Sequence, residues 1–263
     1  ERGFSENPAR AWDRLRADLD RSAADRSDTD RPFSVYVHVP FCQSRCGYCD
    51  CYAFPVTGGN RSAIPEYFES LSREIDLWCE LSALARRSVS TVHFGGGTPL
   101  MFGAEKLVRI TERLRACLCI NERTQLALET TSSMLTEASL TRLWQAGFTR
   151  LHVGVQSLHE DGATVLRKIR AAADAGWVVS TDIIIGLPGY GAAEILQDID
   201  RMVDAGAQGF SVYELVYSPR NHAFFEKLGL LDQPVVEKFS LFQLAFLYLE
   251  DLGFRKNLYN HLS

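Results

Sequence analysis

The sequence predicts an α/β fold organised around a parallel sheet. From residue 33 onwards, apolar runs of four to eight residues alternate with segments of helical periodicity. The runs are rich in Val, Ile, Leu and Phe, which is typical of strands buried on both faces. The chain has 263 residues, of which 46% are hydrophobic, so it can form one large domain. Periodicity leaves an open doubly wound sheet and a barrel as alternative architectures.

Six apolar runs are the predicted strands, and helical patterns or turn residues separate them. They occupy residues 34–39, 91–94, 125–130, 150–154, 178–185 and 209–215. Regular alternation of strands and helices is typical of βα units, whose strands are parallel. The carboxyl ends of the six strands should therefore meet at one edge, which is where the active sites of barrels lie.

Helix signals stand between these strands. Pro65 occupies a plausible first helical position, and apolar residues recur after it on one face. Thr136 is the predicted N-cap of a helix that Gly147 ends. Residues 235–252 predict a last, strongly apolar helix. A further apolar stripe consists of Leu196, Ile199 and Met202.

One crossover is unusually short. Between the fourth and fifth strands, the sequence offers a helical piece over residues 161–170 and then an alanine-rich run over 171–176. A parallel connection needs a loop, a full helix and a return to the sheet. The length of this connection therefore predicts that about ten residues are absent after Arg170.

Residues 1–32 differ in composition from the rest of the chain and predict a helical arm over 8–19 and a linker over 22–30. Residues 33–263 are the predicted main domain. No run approaches the roughly 18 apolar residues of a membrane span, and no signal peptide precedes the arm, so we expect no membrane contact and a cytoplasmic location. A net charge of −5 argues against a nucleic-acid partner.

Four of the seven cysteines lie close together after the first strand. Cys42, Cys46 and Cys49 have the spacing C-x3-C-x2-C, and Cys51 follows them. Three thiolates on one loop can hold three corners of a cubane cluster, whereas a structural zinc site usually has four protein ligands. The spacing therefore predicts an iron–sulfur cluster. The other cysteines are predicted to be packing residues: Cys79, Cys117 and Cys119.

The cysteine loop resembles the signature of the radical S-adenosylmethionine (SAM) superfamily. The longer string over residues 36–42 is similar to the branch typified by oxygen-independent coproporphyrinogen III oxidase. Further similar segments, in the same order, are residues 94–99, 154–157, 182–189 and 213–215. The resemblance covers residues 33–263. It implies a partial (β/α)6 TIM-like barrel of parallel strands, a [4Fe–4S] cluster held by Cys42, Cys46 and Cys49, and bound SAM.

The resemblance also implies residues that bind SAM. The turn after the second strand would bind the methionine amino group through Gly95, Gly96, Gly97 and Thr98. Glu129 would contact SAM from the end of the third strand. Gln156 and Asp182 would contact the ribose hydroxyl groups. For the glycine run and for Gln156, the alternative is an ordinary turn or loop residue.

The resemblance implies roles for three further residues, Lys168, Tyr36 and His38. The family carries an Arg that meets the methionine carboxylate, and Lys168 aligns with it here. A lysine supplies a point charge in place of a bidentate fork. Tyr36 and His38 lie on the same face of the first strand, because side chains alternate along a strand. By resemblance they would line the cluster and a second SAM, although such residues are more often part of a core.

Three functions share this pattern: coproporphyrinogen III oxidation, non-catalytic heme binding by related chaperones, and methyl or methylene transfer to an sp² carbon by class C methyltransferases with two SAM molecules. The segments 50–54 and 129–133 match the two heme-linked groups poorly, and the chain is acidic, so methyl transfer is the main expectation. The expected partners are a small-molecule substrate and an electron donor such as flavodoxin or ferredoxin. Relatives carry a C-terminal accessory domain, which the sequence through Ser263 does not include.

Overall fold

The computed structural model describes residues 8–24, 32–81, 84, 87–159, 161–219, 221–227 and 234–263. The main sheet contains seven strands, which follow one another across the sheet in chain order. Its strands are β1 (Phe33–Val39), β4 (Val89–Gly96), β5 (Gln125–Thr131), β6 (Phe148–Gln156), β7 (Val178–Ile185), β8 (Gly209–Glu214) and β9 (His261–Leu262). A separate pair consists of β2 (Phe41–Cys42) and β3 (Phe54–Pro55).

The first six strands of the main sheet are parallel, and β9 joins β8 in the antiparallel direction. The sheet is strongly curled, because Arg150 on β6 lies 3.1 Å from His261 on β9 although β7 and β8 separate them. In a flat sheet these two strands would be about 14 Å apart. The six predicted strands are therefore confirmed, and the architecture is a partial barrel with a lumen.

Eight helices lie in the described part of the chain, and most of them pack outside the sheet. They are α1 (Pro8–Ala24), α2 (Ala63–Cys79), α3 (Ala104–Cys117), α4 (Glu137–Gln145), α5 (Gly162–Asp174), α6 (Ala192–Asp204), α7 (His222–Lys227) and α8 (Val235–Asp251). The predicted cap of α4 is confirmed, since Thr136 accepts a hydrogen bond from the backbone N–H of Ser139. Pro65 is the third residue of α2, whereas the sequence pattern predicted it at the first helical position.

The crossover between β6 and β7 contains a full helix. The helix does not end at Arg170 but runs for 13 residues to Asp174. Gly176 then turns the chain towards β7 with a φ of 94°, a conformation that glycine adopts readily. The first part of the alanine-rich run therefore extends the helix. The absence of about ten residues after Arg170 stays a prediction.

The core lies between the outer face of the sheet and the helices. On β1, Val37 and Val39 are buried against the helices, while Tyr36 and His38 alternate with them and face the lumen. On α6, Ile195, Ile199 and Met202 are fully buried, so the stripe runs through Ile195 rather than Leu196. No helix among the described residues is both long and apolar enough to cross a membrane.

The predicted N-terminal arm packs against α2. The rings of Trp12 and Trp78 meet edge to face at 5.3 Å, and Arg16 pairs with Glu80 at 3.1 Å. The helix continues to Ala24, five residues beyond its predicted end. Most of the predicted linker over 22–30 lies outside the described residues, and its first three residues are helical.

Two cysteines that were predicted to be packing residues are paired. Cys79 at the end of α2 and Cys117 at the end of α3 form a disulfide at a sequence separation of 38. The apolar pattern of each helix does not reveal that the ends of the two helices meet. The sequence therefore did not predict this disulfide. Cys119 is a free, exposed cysteine.

We predict that replacing Cys117 with Ser lowers the free energy of unfolding by about 2–4 kcal/mol, because the unfolded chain regains the entropy of an open loop. Urea unfolding without reductant measures the change. Cys119→Ser is the matched control, since it removes a neighbouring thiol that is free and exposed. Equal stability of the two variants would show that the disulfide does not contribute to folding.

Candidate active site

The carboxyl edge of the parallel strands carries a ring of polar side chains that face the lumen. We call these residues the lumen ring: Tyr36, His93, Glu129, His152 and Asp182. Each comes from a different strand, β1 and β4 to β7 in order. Parallel pairing and alternation along each strand place all five on the inner face. Residues almost 150 positions apart in sequence are therefore neighbours.

Glu129 is held by two donors in the ring. His93 Nε2 lies 2.6 Å from one carboxylate oxygen, and the backbone N–H of Gly96 donates to the other at 3.3 Å. Burial opposes ionisation, but the hydrogen bond and positive charge of His93 outweigh it and lower the pKa of Glu129 below its usual value. The Tyr36 ring stacks on His93 at 5.7 Å. Glu129 is thus an oriented, ionised acid.

Sequence reasoning identified Glu129 but missed its partner His93. The sequence did contain a signal for His93. This residue stands two before Gly95, so both lie on the same face of β4. An acid and a histidine on adjacent strands at the same edge are a recognisable pair only once the strand order is known. The tertiary structure supplies that order.

The glycine turn is tightly packed against its neighbours. A Cβ on Gly95 would lie 2.8 Å from the Glu129 carboxylate and from the Tyr36 hydroxyl, and one on Gly97 would lie 2.6 Å from the carbonyl oxygen of Phe41. Only glycine permits these approaches. Thr98 is buried, and its hydroxyl lies 3.7 Å from the Cys42 sulfur. The turn therefore connects the acid of β5 to the cysteine loop.

The cluster loop, which we define as residues 40–53, carries Cys42, Cys46, Cys49 and Cys51 as free thiols. A turn brings the Cys49 N–H to the Cys46 carbonyl at 3.1 Å. A hydrogen bond from Cys51 lowers the pKa of Cys49 to about 6, so its thiolate form is accessible at neutral pH. In the part of the chain that the structure describes, no three His, Cys, Asp or Glu side chains converge on a common point.

The donor set of this loop fits an iron–sulfur cluster in kind. Cluster ligands are thiolates, and the three signature cysteines are free and lie on one short loop. A short helix covers the loop: Asn221 donates to the Tyr48 carbonyl at 3.2 Å, and Phe224 lies directly against Gly47. Neither contact was anticipated from sequence, because α7 follows the loop by more than 160 residues.

The Asp182 carboxylate accepts hydrogen bonds mainly from the backbone of β6. One carboxylate oxygen accepts from the N–H groups of Val155 at 2.6 Å and Gln156 at 3.1 Å. These bonds stabilise Gln156 in a left-handed conformation, with a φ of 63° that non-glycine residues rarely adopt. The Gln156 side-chain amide also donates to Asp182, at 3.2 Å. Asp182 and Gln156, the two residues predicted to contact the ribose, are thus hydrogen-bonded to each other.

The ionised state of Asp182 is maintained despite its burial. Desolvation favours the neutral acid, but His152 and the two backbone N–H groups outweigh it and lower the pKa of Asp182. His152 Nε2 lies 3.8 Å from the second carboxylate oxygen. The second oxygen also accepts from the Gln156 side-chain amide at 3.3 Å. It has fewer donors than the first oxygen and can therefore still accept a hydrogen bond from a ligand.

Lys168 and His38 lie at the same edge. The ammonium group of Lys168 donates to the carbonyl of Ser132 at 2.5 Å, just beyond the end of β5 and three residues after Glu129. His38 Nε2 lies 3.3 Å from the Tyr52 carbonyl, and its ring is close to Gly96. The structure thus brings every predicted site residue to one edge of the sheet, while their roles towards SAM stay predictions.

Below the lumen ring, Arg150 and His261 close the floor of the barrel. Arg150 donates to His261 Nε2 at 3.1 Å, so His261 Nδ1 carries the hydrogen and donates to the Ser211 hydroxyl at 2.9 Å. Burial, with the positive charges of Arg150 and His152, lowers the pKa of His261 to about 4. The imidazole is therefore neutral at physiological pH.

Comparison with known proteins assigns the fold and site to a family. Residues 36–202 match the radical SAM superfamily. The chain belongs to this superfamily, whose members use a [4Fe–4S] cluster and SAM. The match begins at Tyr36 and includes the cluster loop, the glycine turn and Asp182.

The relatives of this chain include heme chaperones and oxygen-independent coproporphyrinogen III oxidases. The chain is 29% identical over 197 residues to the heme chaperone HemW of Mycobacterium tuberculosis, covering 71% of this chain and 50% of that protein. It is 27% identical over 238 residues to oxygen-independent coproporphyrinogen III oxidase of Salmonella typhimurium, covering 86% and 51%. The chain thus spans about half the length of these relatives.

Solved structures confirm the partial barrel. The coproporphyrinogen III oxidase HemN of Escherichia coli superposes with a TM-score of 0.80 and 24% identity, covering 94% of this chain and 58% of that one. At this identity the likeness concerns the fold. Curling of the parallel sheet and its strand order agree with the architecture expected from sequence.

We predict that stability falls more steeply between pH 6.5 and 4 in the wild type than in His261→Gln. The unfolded histidine gains a proton near its ordinary pKa of 6.5, whereas the folded one resists protonation down to about 4. Protons therefore favour the unfolded state across this window. Urea midpoints measured at several pH values test this. His222→Gln, which removes an exposed imidazole, should retain the wild-type slope; parallel slopes for wild type and His261→Gln would contradict the assignment.

Proposed function

We propose that this protein is a radical SAM enzyme of the coproporphyrinogen III oxidase branch that acts on a tetrapyrrole-class substrate. The observation that carries the proposal is the arrangement of Glu129, its partner His93 and the glycine turn beside the cysteine loop. This edge combines an ionised acid, backbone donors and thiols. When bound, the [4Fe–4S] cluster supplies the electron that cleaves SAM to methionine and a 5′-deoxyadenosyl radical.

In this proposal Cys42, Cys46 and Cys49 hold the cluster, and Cys51 does not. The free state of all four thiols is compatible with that division. Cys51 hydrogen-bonds Cys49. It would therefore support a cluster ligand without binding iron itself. The superfamily signature C-x3-C-x2-C contains the first three alone.

The charges of the lumen suit SAM. The molecule carries an ammonium group and a sulfonium centre, and the lumen ring presents two carboxylates whose pKa values are lowered. Glu129 and the turn Gly95–Thr98 would bind the amino group. Lys168 on α5, whose ammonium group lies just beyond the end of β5, would pair with the methionine carboxylate. Opposite charges brought together in a partly desolvated lumen attract more strongly than in water.

The ribose would meet Asp182 and Gln156. One oxygen of Asp182 accepts from the β6 backbone. The other accepts from the Gln156 amide at 3.3 Å and could also accept from a hydroxyl group of the ribose. Tyr36 and His38 face the lumen from β1, where a substrate or a second SAM would approach. The second SAM molecule and an electron donor such as flavodoxin or ferredoxin remain predictions.

Methyl transfer, the main expectation from sequence, has no support among the relatives described above. They are coproporphyrinogen III oxidases and heme chaperones. The expectation relied on local mismatches over 50–54 and 129–133 and on net charge, which are weaker guides than similarity over most of the chain. The chaperone function is the second candidate, since the identity to HemW over 197 residues is 29%.

We predict that the reduced protein, with its cluster reconstituted under anaerobic conditions, converts SAM and coproporphyrinogen III to 5′-deoxyadenosine and CO2 in step. Mass spectrometry of nucleosides and tetrapyrroles measures both products. S-adenosylhomocysteine formed together with 5′-deoxyadenosine would instead establish methyl transfer. Heme binding without SAM cleavage would establish the chaperone function.

We predict that Cys42→Ala, Cys46→Ala and Cys49→Ala each abolish the cluster, because each removes a thiolate ligand. Iron and sulfide content and the visible absorption of the cluster measure its presence in a sample whose folding is checked by circular dichroism. Cys51→Ala is the matched control and should retain the cluster. Loss of the cluster in Cys51→Ala with retention in Cys49→Ala would reverse the ligand assignment.

A further inference from the structure

We propose that Cys79 and Cys117 form a reversible thiol–disulfide site, and that its redox state controls how the N-terminal helix α1 packs on α2. The two cysteines end α2 and α3, and their Cα atoms are 5.3 Å apart. This separation lies within the usual range for a bridged pair. The site is separate from the reaction that the lumen supports, because no lumen-ring residue belongs to α2 or α3.

The cluster loop indicates the redox conditions in which the chain operates. Cys42, Cys46, Cys49 and Cys51 are all free. Thiolates can hold an iron–sulfur cluster only where they are not oxidised to disulfides. Under such reducing conditions a lasting structural disulfide is uncommon, and the disulfides that form are usually transient and redox-active. The pair at the ends of α2 and α3 should therefore exchange with thiols.

The bridge is accessible, and a second contact joins the same two helices. Cys79 and Cys117 are each only partly buried, so a thiolate from solvent can reach their sulfur atoms, as exchange requires. One turn earlier, Arg113 on α3 donates two hydrogen bonds to the Asp76 carboxylate on α2, one of them at 2.6 Å. This ion pair would hold the helices together after reduction, so that only their last turns loosen.

The last turn of α2 is also where α1 packs. Trp78, which precedes Cys79, meets the Trp12 ring edge to face at 5.3 Å. Glu80, which follows Cys79, pairs with Arg16 at 3.1 Å. Each of these contacts thus involves an immediate neighbour of the bridged cysteine. The bridge restrains this end of α2 and favours both contacts, whereas reduction allows the end of the helix to fray.

The exchange needs an external thiol as reductant. A thiolate attacks one sulfur of the Cys79–Cys117 bridge, the S–S bond breaks, and the other cysteine leaves as a thiolate that takes up a proton. A second thiolate then attacks the mixed disulfide, which frees the first cysteine and leaves the reductant as its own disulfide. Two electrons thus pass from two thiols to the bridge. A small thiol such as glutathione and a dithiol protein share this chemistry.

The first test equilibrates the anaerobic, cluster-containing protein in glutathione buffers of defined redox ratio and then alkylates its thiols. Peptide mass spectrometry should show Cys79 and Cys117 labelled together in reducing buffer and protected together in oxidising buffer, with one midpoint in both directions. Cys119→Ser is the matched control, since it removes a free, exposed thiol and should leave the midpoint unchanged. Equal labelling of Cys79 and Cys117 in the two buffers would overturn the proposal.

A second reductant distinguishes the two sources of the thiol. Reduced thioredoxin, at the same thiol concentration as glutathione, should open the bridge much faster if a dithiol protein is the natural reductant. Equal rates would identify a small thiol as the reductant of this site.

The packing of α1 supplies an independent readout. Trypsin cleaves after the arginines of this helix, and the rate of cleavage reports the fraction of molecules in which the helix has detached. We expect wild-type cleavage to be roughly three- to fivefold faster in reducing buffer. Cys79→Ser and Trp12→Ala should be cleaved at a fast rate in both buffers, while absorption of the cluster verifies that the barrel is intact. Wild-type cleavage at one rate in both buffers would refute the control of α1.

Discussion

Parallel pairing of six strands is the constraint on which the rest of the structure depends. It brings every carboxyl end to one edge, so residues separated by long stretches of helix become neighbours. The cluster loop follows β1, the glycine turn follows β4, and Glu129 and Asp182 stand near the ends of β5 and β7. A change of strand order would separate these groups even if every strand still formed.

Bringing acids to one edge creates an electrostatic cost that the lumen ring offsets. A carboxylate loses hydration when it is buried, so it needs donors that favour its charged form. His93 supplies one for Glu129, while His152 and two backbone N–H groups supply them for Asp182. The resulting acids remain ionised and oriented, which suits a ligand that carries positive charge.

The sheet closes in a different way at its floor. Arg150 and His261 bridge the lumen from β6 to β9, and β9 is the one antiparallel strand of the main sheet. Burial, together with the neighbouring Arg150, lowers the pKa of His261, so the imidazole is neutral and its Nε2 can accept a hydrogen bond. The floor is thus closed by a hydrogen bond between strands that are not adjacent, and the loops surround the other end.

The sequence by itself determined the strands, the cysteine loop and the residues at the strand ends. Apolar runs and turn residues are local signals, and the spacing C-x3-C-x2-C is a property of one loop. Only the tertiary structure decided the pairing of His93 with Glu129, the disulfide between Cys79 and Cys117 and the contact of α7 with the cluster loop. Each of these joins elements that are distant along the chain. Their contact depends on how strands and helices pack, which local periodicity does not encode.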